Sequence, residues 1–432
     1  MKILYVSQYF PPEMGAPSAR AAELAQNWAR EGHDISILTG FPNHPTGVVP
    51  EEWRTRLRRL IYREKVGSID VFRTWLWPLP NRKAHERIRN YASFFFSAAF
   101  RGLTLPRPDV VIATSPQLLV ALAGWWLAFA RQLPFVFEVR DLWPESLAAV
   151  GVGNQDSLLH LSLKAIARFL YERADLIVVV TPAFRDYLIE HWRIPREKIS
   201  VVENGVETDV FCPQPTERSI KIVGQLQAEG RFLVGYVGTM GMAHGLDTLL
   251  DAAQRLSTQN PRVLFVLIGE GAEKERIQKS AQARGLENVR FLDQQPREDI
   301  PALISVLDAC LVLLKKTEVF KTVIPTKMLE FMSCARPVIL GVDGQAREIL
   351  EAAQAGIVIE PENAQRLAEA VMTLADNHGC GQRLGINGRQ YILQHYSRRS
   401  TAEKYVRVLE QVQPADTNAS TGKNRVDSAR LD

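Results

Sequence analysis

Cysteine is scarce in this chain. The four present in 432 residues, Cys212, Cys310, Cys334 and Cys380, lack both metal-ligand spacing and the density of a disulfide framework, so bystander thiols in a reduced setting are expected. Long apolar runs are also missing. The longest, Leu118–Ala130, covers 13 residues, too short to cross a bilayer and suited to a buried helix. The opening residues Lys2-Ile3-Leu4-Tyr5-Val6 read as a strand and lack the layout of a signal peptide. No solenoid-period repeat occurs. Neither sign of charge dominates, the net charge being +4, and no nucleic-acid motif accompanies the basic residues, which argues against a nucleic-acid partner.

What remains is an ordinary globular composition, 46% hydrophobic and 23% charged, in a chain long enough for two domains. The first half alternates β-rich runs (Ile3–Ser7, Ile35–Thr39, Asp109–Thr114, Phe135–Val139, Leu176–Thr181, Ile199–Glu203) with helical patterns over Ser18–Arg30, His85–Arg101, Gln117–Arg131, Ser157–Arg173 and Pro182–His191. Continuous apolar strands between helices predict an α/β architecture with a doubly wound parallel sheet. The pattern pauses from Asn204 through Pro215 to Arg231. A second alternation follows, with strands at Leu233–Val237, Val263–Ile268, Val289–Leu292, Ala309–Leu313 and Val338–Leu340. Its helices fall near Leu246–Ser257, Glu273–Arg284, Ile300–Leu307, Lys327–Ser333 and Ala364–Asn377. The expected division is 1–210, 211–395, a last helix within 396–413, and a polar tail over 414–432 expected to be disordered. Two Rossmann-like units facing each other would enclose a cleft bordered by the carboxyl ends of their strands.

The chemically suggestive residues lie after those strands. In Pro325-Thr326-Lys327-Met328-Leu329-Glu330, Thr326 is a plausible N-cap and Lys327 falls in the first helical turn, where free N–H groups and the dipole favour an anion. Glu330 follows on the same face, placed for a ribose diol. The competing reading is an amphipathic core helix with a solvated Lys–Glu pair. Gly238-Thr239-Met240-Gly241 and His244 form a Gly-rich strand-to-helix turn, open either to a pyrophosphate or simply to tight packing; its spacing is not that of a dinucleotide fingerprint. Gly269, in Ile268-Gly269-Glu270-Gly271, is a second such turn.

In the first half, the loop Pro11–Ser18 contains Glu13 and Gly15, and Phe41–Gly47 contains His44, a base or a bystander. Glu138-Val139-Arg140-Asp141 packs charges at a strand end, where a neighbouring guanidinium keeps a carboxylate ionised. Asp141 would handle a hydroxyl and Arg140 a leaving diphosphate, or the two would form a structural pair capping the next helix. Residues 51–108 carry thirteen Lys/Arg against five Asp/Glu, interspersed with Trp75, Trp77, Tyr91 and Phe94-Phe95-Phe96. This suits an anionic membrane surface, or an ordinary solvated basic face.

Taken together, the Gly-rich turn, His244-Gly245, Ile268–Gly271 and Lys327…Glu330…Pro337-Val338-Ile339 resemble the retaining glycosyltransferases of family 4, with the GT-B fold. Glu138–Glu145 and Asn204-Gly205-Val206-Glu207 resemble the WbuB-like branch, amino-sugar transferases of bacterial surface-polysaccharide assembly. The resemblance runs from Met1 to about Val412. It implies a UDP-sugar donor, no metal or other cofactor, Glu330 on the ribose, Lys327 and Gly238–Gly241 at the diphosphate, and Gly15 closing on the same group. It also implies that the last helix crosses back onto the N-terminal domain. Three departures stand out: Thr322 where family members carry a first glutamate eight residues before Glu330, with Glu318 out of register; His244 in place of a basic residue; and Arg140 in place of a histidine.

The resulting expectation is a cytoplasmic enzyme, peripheral on the inner face of the membrane. It would move an N-acetylated amino sugar from UDP to a polyprenyl-diphosphate-linked glycan, with Lys327 and His244 balancing the departing charge and Asp141 handling the acceptor hydroxyl. Glu13 and His44 are acceptor-side candidates. A GT-B-fold UDP-amino-sugar epimerase and a non-catalytic nucleotide-sugar-binding subunit are the alternatives.

Overall fold

The computed structural model describes every residue except 14, 45, 80–83, 147–157, 226–227, 229 and 413–432. Asn81-Arg82-Lys83 of the basic region and the tail 414–432 therefore lie outside the described residues.

Two sheets organise the chain. The first contains β1 (Lys2–Val6), β2 (Asp34–Gly40), β3 (Ile61–Val66), β4 (Ile69–Thr74), β5 (Val110–Thr114), β6 (Phe135–Val139), β7 (Leu176–Val179) and β8 (Ile199–Val201). Its order is β3-β4-β2-β1-β5-β6-β7-β8, parallel throughout except for the β3–β4 pair. The second contains β9 (Phe232–Val237), β10 (Val263–Ile268), β11 (Val289–Leu292), β12 (Ala309–Leu313), β13 (Val338–Gly341) and β14 (Gly356–Val358), ordered β11-β10-β9-β12-β13-β14 and wholly parallel. Both are doubly wound α/β sheets with the expected Rossmann-like order. Their direction of winding reverses between β1 and β5 and between β9 and β12, the places where such sheets open a crevice.

Burial explains the strands. β1, β5, β6, β7, β9, β10, β12 and β13 are buried along nearly their whole length, as parallel strands covered by helices on both faces must be. Several elements depart from expectation, among them helices Gln345–Ala353 and His378–His395 and the short strand β14, none of which was expected. β3 and β4 form an antiparallel edge hairpin whose outer strand, Ile61-Tyr62-Arg63-Glu64-Lys65-Val66, is largely exposed; its charged residues suit a sheet edge and hide the apolar alternation. The pause after Pro215 is also not wholly irregular, since residues Glu217–Gln225 are helical.

Among the described residues the chain crosses between the domains twice, and the crossings touch. Val206 pairs with Ser397, with Val206 N–H donating to the Tyr396 carbonyl at 2.9 Å and Arg398 N–H to the Val206 carbonyl at 2.9 Å. The last helix, Arg398–Glu410, then returns to the N-terminal domain and packs on helix Ala16–Arg30. There Trp28 meets Tyr405 edge-on at 5.2 Å and donates its indole N–H to the Ala402 carbonyl at 3.2 Å. No helix among the described residues is long and apolar enough to cross a membrane.

Candidate active site

The C-terminal side begins at the end of β9. Gly238 N–H donates to the Ile268 carbonyl at 2.9 Å, Met240 N–H to the Glu270 carbonyl at 2.8 Å, and Glu273 N–H to the Met240 carbonyl at 3.0 Å. These bonds join the turns after β9 and β10 into one floor. A Cβ on Gly269 would stand 2.2 Å from the Gly238 carbonyl oxygen, and one on Gly271 would stand 2.3 Å from that of Met240. Both turns therefore require glycine for backbone contact. Thr239 is exposed on this floor, whereas the Met240 side chain is wholly buried and its N–H and carbonyl are both bonded to the neighbouring turn, so Met240 builds the floor.

Against the floor lies helix Thr326–Ser333. Pro325 occupies the cap position and no side chain caps the helix, so Thr326 is its first residue rather than the expected N-cap. A proline suits that boundary because the first turn's N–H groups need no intrahelical acceptor. Lys327 reaches back over the turn. Its Nζ is buried without a hydrogen-bond partner, 4.1 Å from the centre of the Tyr236 ring, and a Cβ on Gly238 would lie 3.2 Å from it. Burial pulls the amine down to about 7, with Glu330 opposing the shift.

His244 stands beside this amine. Its Nδ1 lies 3.3 Å from the Leu313 carbonyl, an oxygen that only accepts, so Nδ1 bears the proton. Burial, then the charge on Lys327, lower its pKa to about 3. His244 is thus neutral near pH 7 and offers a dipole rather than a full charge.

Glu330 faces the other domain. Its Oε1 accepts from Arg297 Nη1 at 3.4 Å and Nη2 at 3.3 Å. Burial raises its pKa, and the Arg297 charge works against that rise. Where the family pattern has its first glutamate, the Thr322 hydroxyl donates to the Val319 carbonyl at 2.6 Å, and the Thr322 carbonyl accepts from Thr181 of the N-terminal domain at 2.9 Å. Glu318 points outward, paired with Lys321 at 2.7 Å.

On the N-terminal side, Gly15 opens helix Ala16–Arg30 with φ of 119°, a conformation that favours glycine. Glu13 is buried under the same loop. Its Oε1 accepts the backbone N–H groups of Asn43 and His44, both at 2.9 Å, while Oε2 is buried without a hydrogen-bond partner. Burial lifts this carboxyl to about 7 despite those bonds. The fold thus brings Glu13 and His44 together from the loops after β1 and β2. The His44 ring lies against Tyr9 with centroids 4.8 Å apart, and burial lowers its pKa to about 4, so it too is neutral near pH 7.

The cluster after β6 resolves into two parts. Glu138 is fully buried and accepts from Tyr5 Oη at 2.5 Å and from Arg20 Nη2 at 2.8 Å. Burial alone would raise its pKa, but Arg20 and then Arg140 outweigh it, and the carboxylate stays ionised. Asp141 accepts from the Ser146 hydroxyl and from Trp143 Nε1 at 3.3 Å. Its own loop holds it, and burial pushes its pKa up. Arg140 lies chiefly in the field of Glu138 rather than of Asp141.

Four charged residues of this region went unrecognised in the sequence: Arg20, Glu23, Arg297 and Arg398. Arg20 and Glu23 follow the Gly15 loop by one and two helical turns, a weak signal, and Arg297 lies in a loop with no motif at all.

A family model described as "Glycosyl transferase 4-like domain" matches residues 15–205, and one described as "Glycosyl transferases group 1" matches residues 218–391. The putative colanic acid biosynthesis glycosyl transferase WcaI of Escherichia coli K12 is 24% identical over 385 residues, covering 86% of this chain and 91% of the relative. The O-antigen chain mannosyltransferase C of Escherichia coli is 24% identical, covering 94% and 97%. Among solved structures, Anabaena Alr3699/HepE in complex with UDP and glucose superposes with a TM-score of 0.71 at 18% identity, covering 95% of this chain and 100% of that one. WaaG, a glycosyltransferase involved in lipopolysaccharide biosynthesis, gives 0.68 at 18% identity, covering 94% and 99%. The matched families are of glycosyl transferases, which does not favour the epimerase alternative.

Proposed function

We propose that this chain, a glycosyltransferase whose two Rossmann-like domains make up the GT-B fold, moves an N-acetylated amino sugar from UDP to a polyprenyl-diphosphate-linked glycan during bacterial surface-polysaccharide assembly, with retention of configuration. The observation that carries the donor reading is the Lys327 amine, buried without a hydrogen-bond partner over the Gly238 turn. A buried ammonium without an anion is unstable, and a diphosphate on that turn supplies the anion. Glu330, one helical turn further on, then accepts from the ribose diol. The complex of the similar HepE with UDP supports this choice of nucleotide.

As the sugar leaves, charge grows on the diphosphate. Lys327 and the N–H groups at the start of helix Thr326–Ser333 oppose it, and no reorganisation is needed because both are already in place. His244, being neutral, contributes only its dipole. Asp141 is proposed to meet the acceptor hydroxyl after release from Ser146. Glu13 and His44 line the acceptor side. Gly15 lets its loop approach the diphosphate from the opposite domain.

For the membrane contact, exposed Phe96, Phe100 and Phe129 carry this reading further than the basic segment does. Arg56 of that segment is spent on its own aromatics, 4.8 Å from Trp53 and 5.1 Å from Tyr62. Exposed rings flanked by Arg101 and Arg131 suit an anionic interface on the cytoplasmic side.

The test is UDP release from a panel of UDP-sugars, with and without a polyprenyl-diphosphate-linked acceptor. Acceptor-dependent release supports transfer, and turnover without acceptor refutes it. Glu330→Ala should weaken UDP binding about ten- to a hundredfold, the worth of a charge-assisted hydrogen bond; unchanged affinity would remove Glu330 from the donor site. Phe100→Ser with Phe129→Ser should abolish sedimentation with anionic vesicles, and retained sedimentation would exclude this face.

A further inference from the structure

Four elements far apart in sequence meet in one chain of charges. Arg398, only 2% exposed, donates from Nε to Glu23 Oε2 at 2.8 Å, and its Nη2 lies 2.8 Å from the same oxygen in an ion pair. The other oxygen of Glu23, Oε1, accepts from Arg297 Nη2 at 2.6 Å, and that same nitrogen lies 3.3 Å from Glu330 Oε1. The Arg297 guanidinium also lies over the Phe211 ring, 5.0 Å from its centre. Phe211 is wholly buried just beyond the first inter-domain crossing, so the guanidinium has a fixed seat.

The partners divide between the domains. Glu23 lies on helix Ala16–Arg30 and Arg398 begins the helix packed against it, both on the N-terminal side. Arg297 and Glu330 belong to the C-terminal sheet's loops and helices. Rotation of one domain against the other therefore stretches the 2.6 Å Arg297–Glu23 contact while leaving each domain's interior intact. A charge pair this close and partly screened from water falls off steeply with separation.

We propose that Glu23 and Arg297 are positioning residues of the donor site: Arg297 orients the Glu330 carboxylate and ties it through Glu23 to the N-terminal domain, so that donor recognition and domain closure are one coupled event. This rests on the reading of Glu330 as the ribose ligand. Arg297 shares one nitrogen between Glu23 and Glu330, so a diol that draws on Glu330 redistributes the guanidinium toward Glu23. Occupation of the C-terminal domain thereby strengthens its hold on the other.

The test uses the full-length protein, with Glu23→Gln, Arg297→Gln and Arg297→Lys variants. UDP affinity is read by calorimetry, compaction by small-angle X-ray scattering with and without UDP, and turnover by UDP release with acceptor. Glu23→Gln should lower kcat about tenfold and abolish UDP-induced compaction, and, because the coupling is reciprocal, should weaken UDP binding about fivefold, less than a change at Arg297 that also unseats Glu330. Arg297→Gln should weaken UDP binding about tenfold as well as kcat. Arg297→Lys, which keeps the charge but not the shared fork, should restore affinity more than kcat. Where burial of Arg398 prevents Glu23→Gln from folding, the two variants at the more exposed Arg297 decide the matter. Loss of thermal stability with kcat, affinity and compaction unchanged would overturn the proposal. So would a kcat in Arg297→Lys that recovers in step with affinity. UDP binding that survives Glu330→Ala would instead refute the donor-site reading, and the two failures are distinct.

Discussion

If the Lys327 amine is the diphosphate's counter-charge, UDP binding must take up a proton. In the free enzyme burial lowers Lys327 from 10.5 to about 7. At 1.36 kcal/mol per unit, holding it charged costs about 5 kcal/mol relative to an exposed lysine. The groups around it are the Tyr236 ring, neutral His244 and Glu330. A bound diphosphate adds negative charge and raises the amine well above 7, so the bound form is protonated. At pH 8 only about a tenth of the free enzyme carries that proton, and binding should absorb about 0.9 proton. The diphosphate's own last ionisation, about 6, is then complete and does not contribute. Between pH 7 and 9 the UDP Kd should rise about fiftyfold. Calorimetry at pH 8 in two buffers of different ionisation enthalpy measures the uptake directly. Lys327→Met should bind UDP about a hundredfold more weakly at pH 7, take up no proton, and melt higher than the parent protein below pH 7. The sign follows from the depressed pKa: the folded state releases its proton at about 7 and the unfolded state at 10.5, so the penalty is full below 7 and gone above 10.5. Zero uptake in the parent, or equal uptake in Lys327→Met, would refute the assignment.

Glu13 should make stability depend on pH in the opposite direction. Its folded pKa is raised from 4.5 to about 7, so its contribution is full below 4.5 and lost as pH rises through 7, about 3 kcal/mol in all. Glu13→Gln keeps an oxygen for the Asn43 and His44 N–H groups and should match the parent in urea denaturation at pH 4.5 but exceed it at pH 8; parallel profiles would show that Glu13 is not so perturbed. Gly271→Ala places a Cβ 2.3 Å from the Met240 carbonyl and should cost at least about 3 kcal/mol, with loss of UDP binding. Gly285→Ala, at φ of 63° with nothing within 4 Å of the added carbon, should cost only about 1 kcal/mol; equal melting temperatures for the two would contradict the packing of the two glycine turns.

Much of the fold was legible because its signals are local. Each buried parallel strand shows itself as a continuous apolar run, and the helices between them show the period of a helical face. The edge hairpin of β3 and β4 escaped because Arg63, Glu64 and Lys65 break the alternation on which such a reading depends. Thr326 was misplaced as a cap because Ser, Thr and Pro all mark helix starts, and only the backbone angles tell which one stands outside.

By itself the sequence determined two doubly wound α/β units, glycine turns at their strand ends, and a lysine and a glutamate one helical turn apart. Those are properties of neighbouring residues. Tertiary structure alone decided the electrostatic state of these groups. It buried the Lys327 amine over Tyr236, left His244 neutral, and gave Glu330 an arginine 33 residues away in sequence. It also set that arginine against Glu23, which lies 274 residues from it. A side chain's charge depends on the dielectric and the partners around it, and those come from whichever segments the fold brings together.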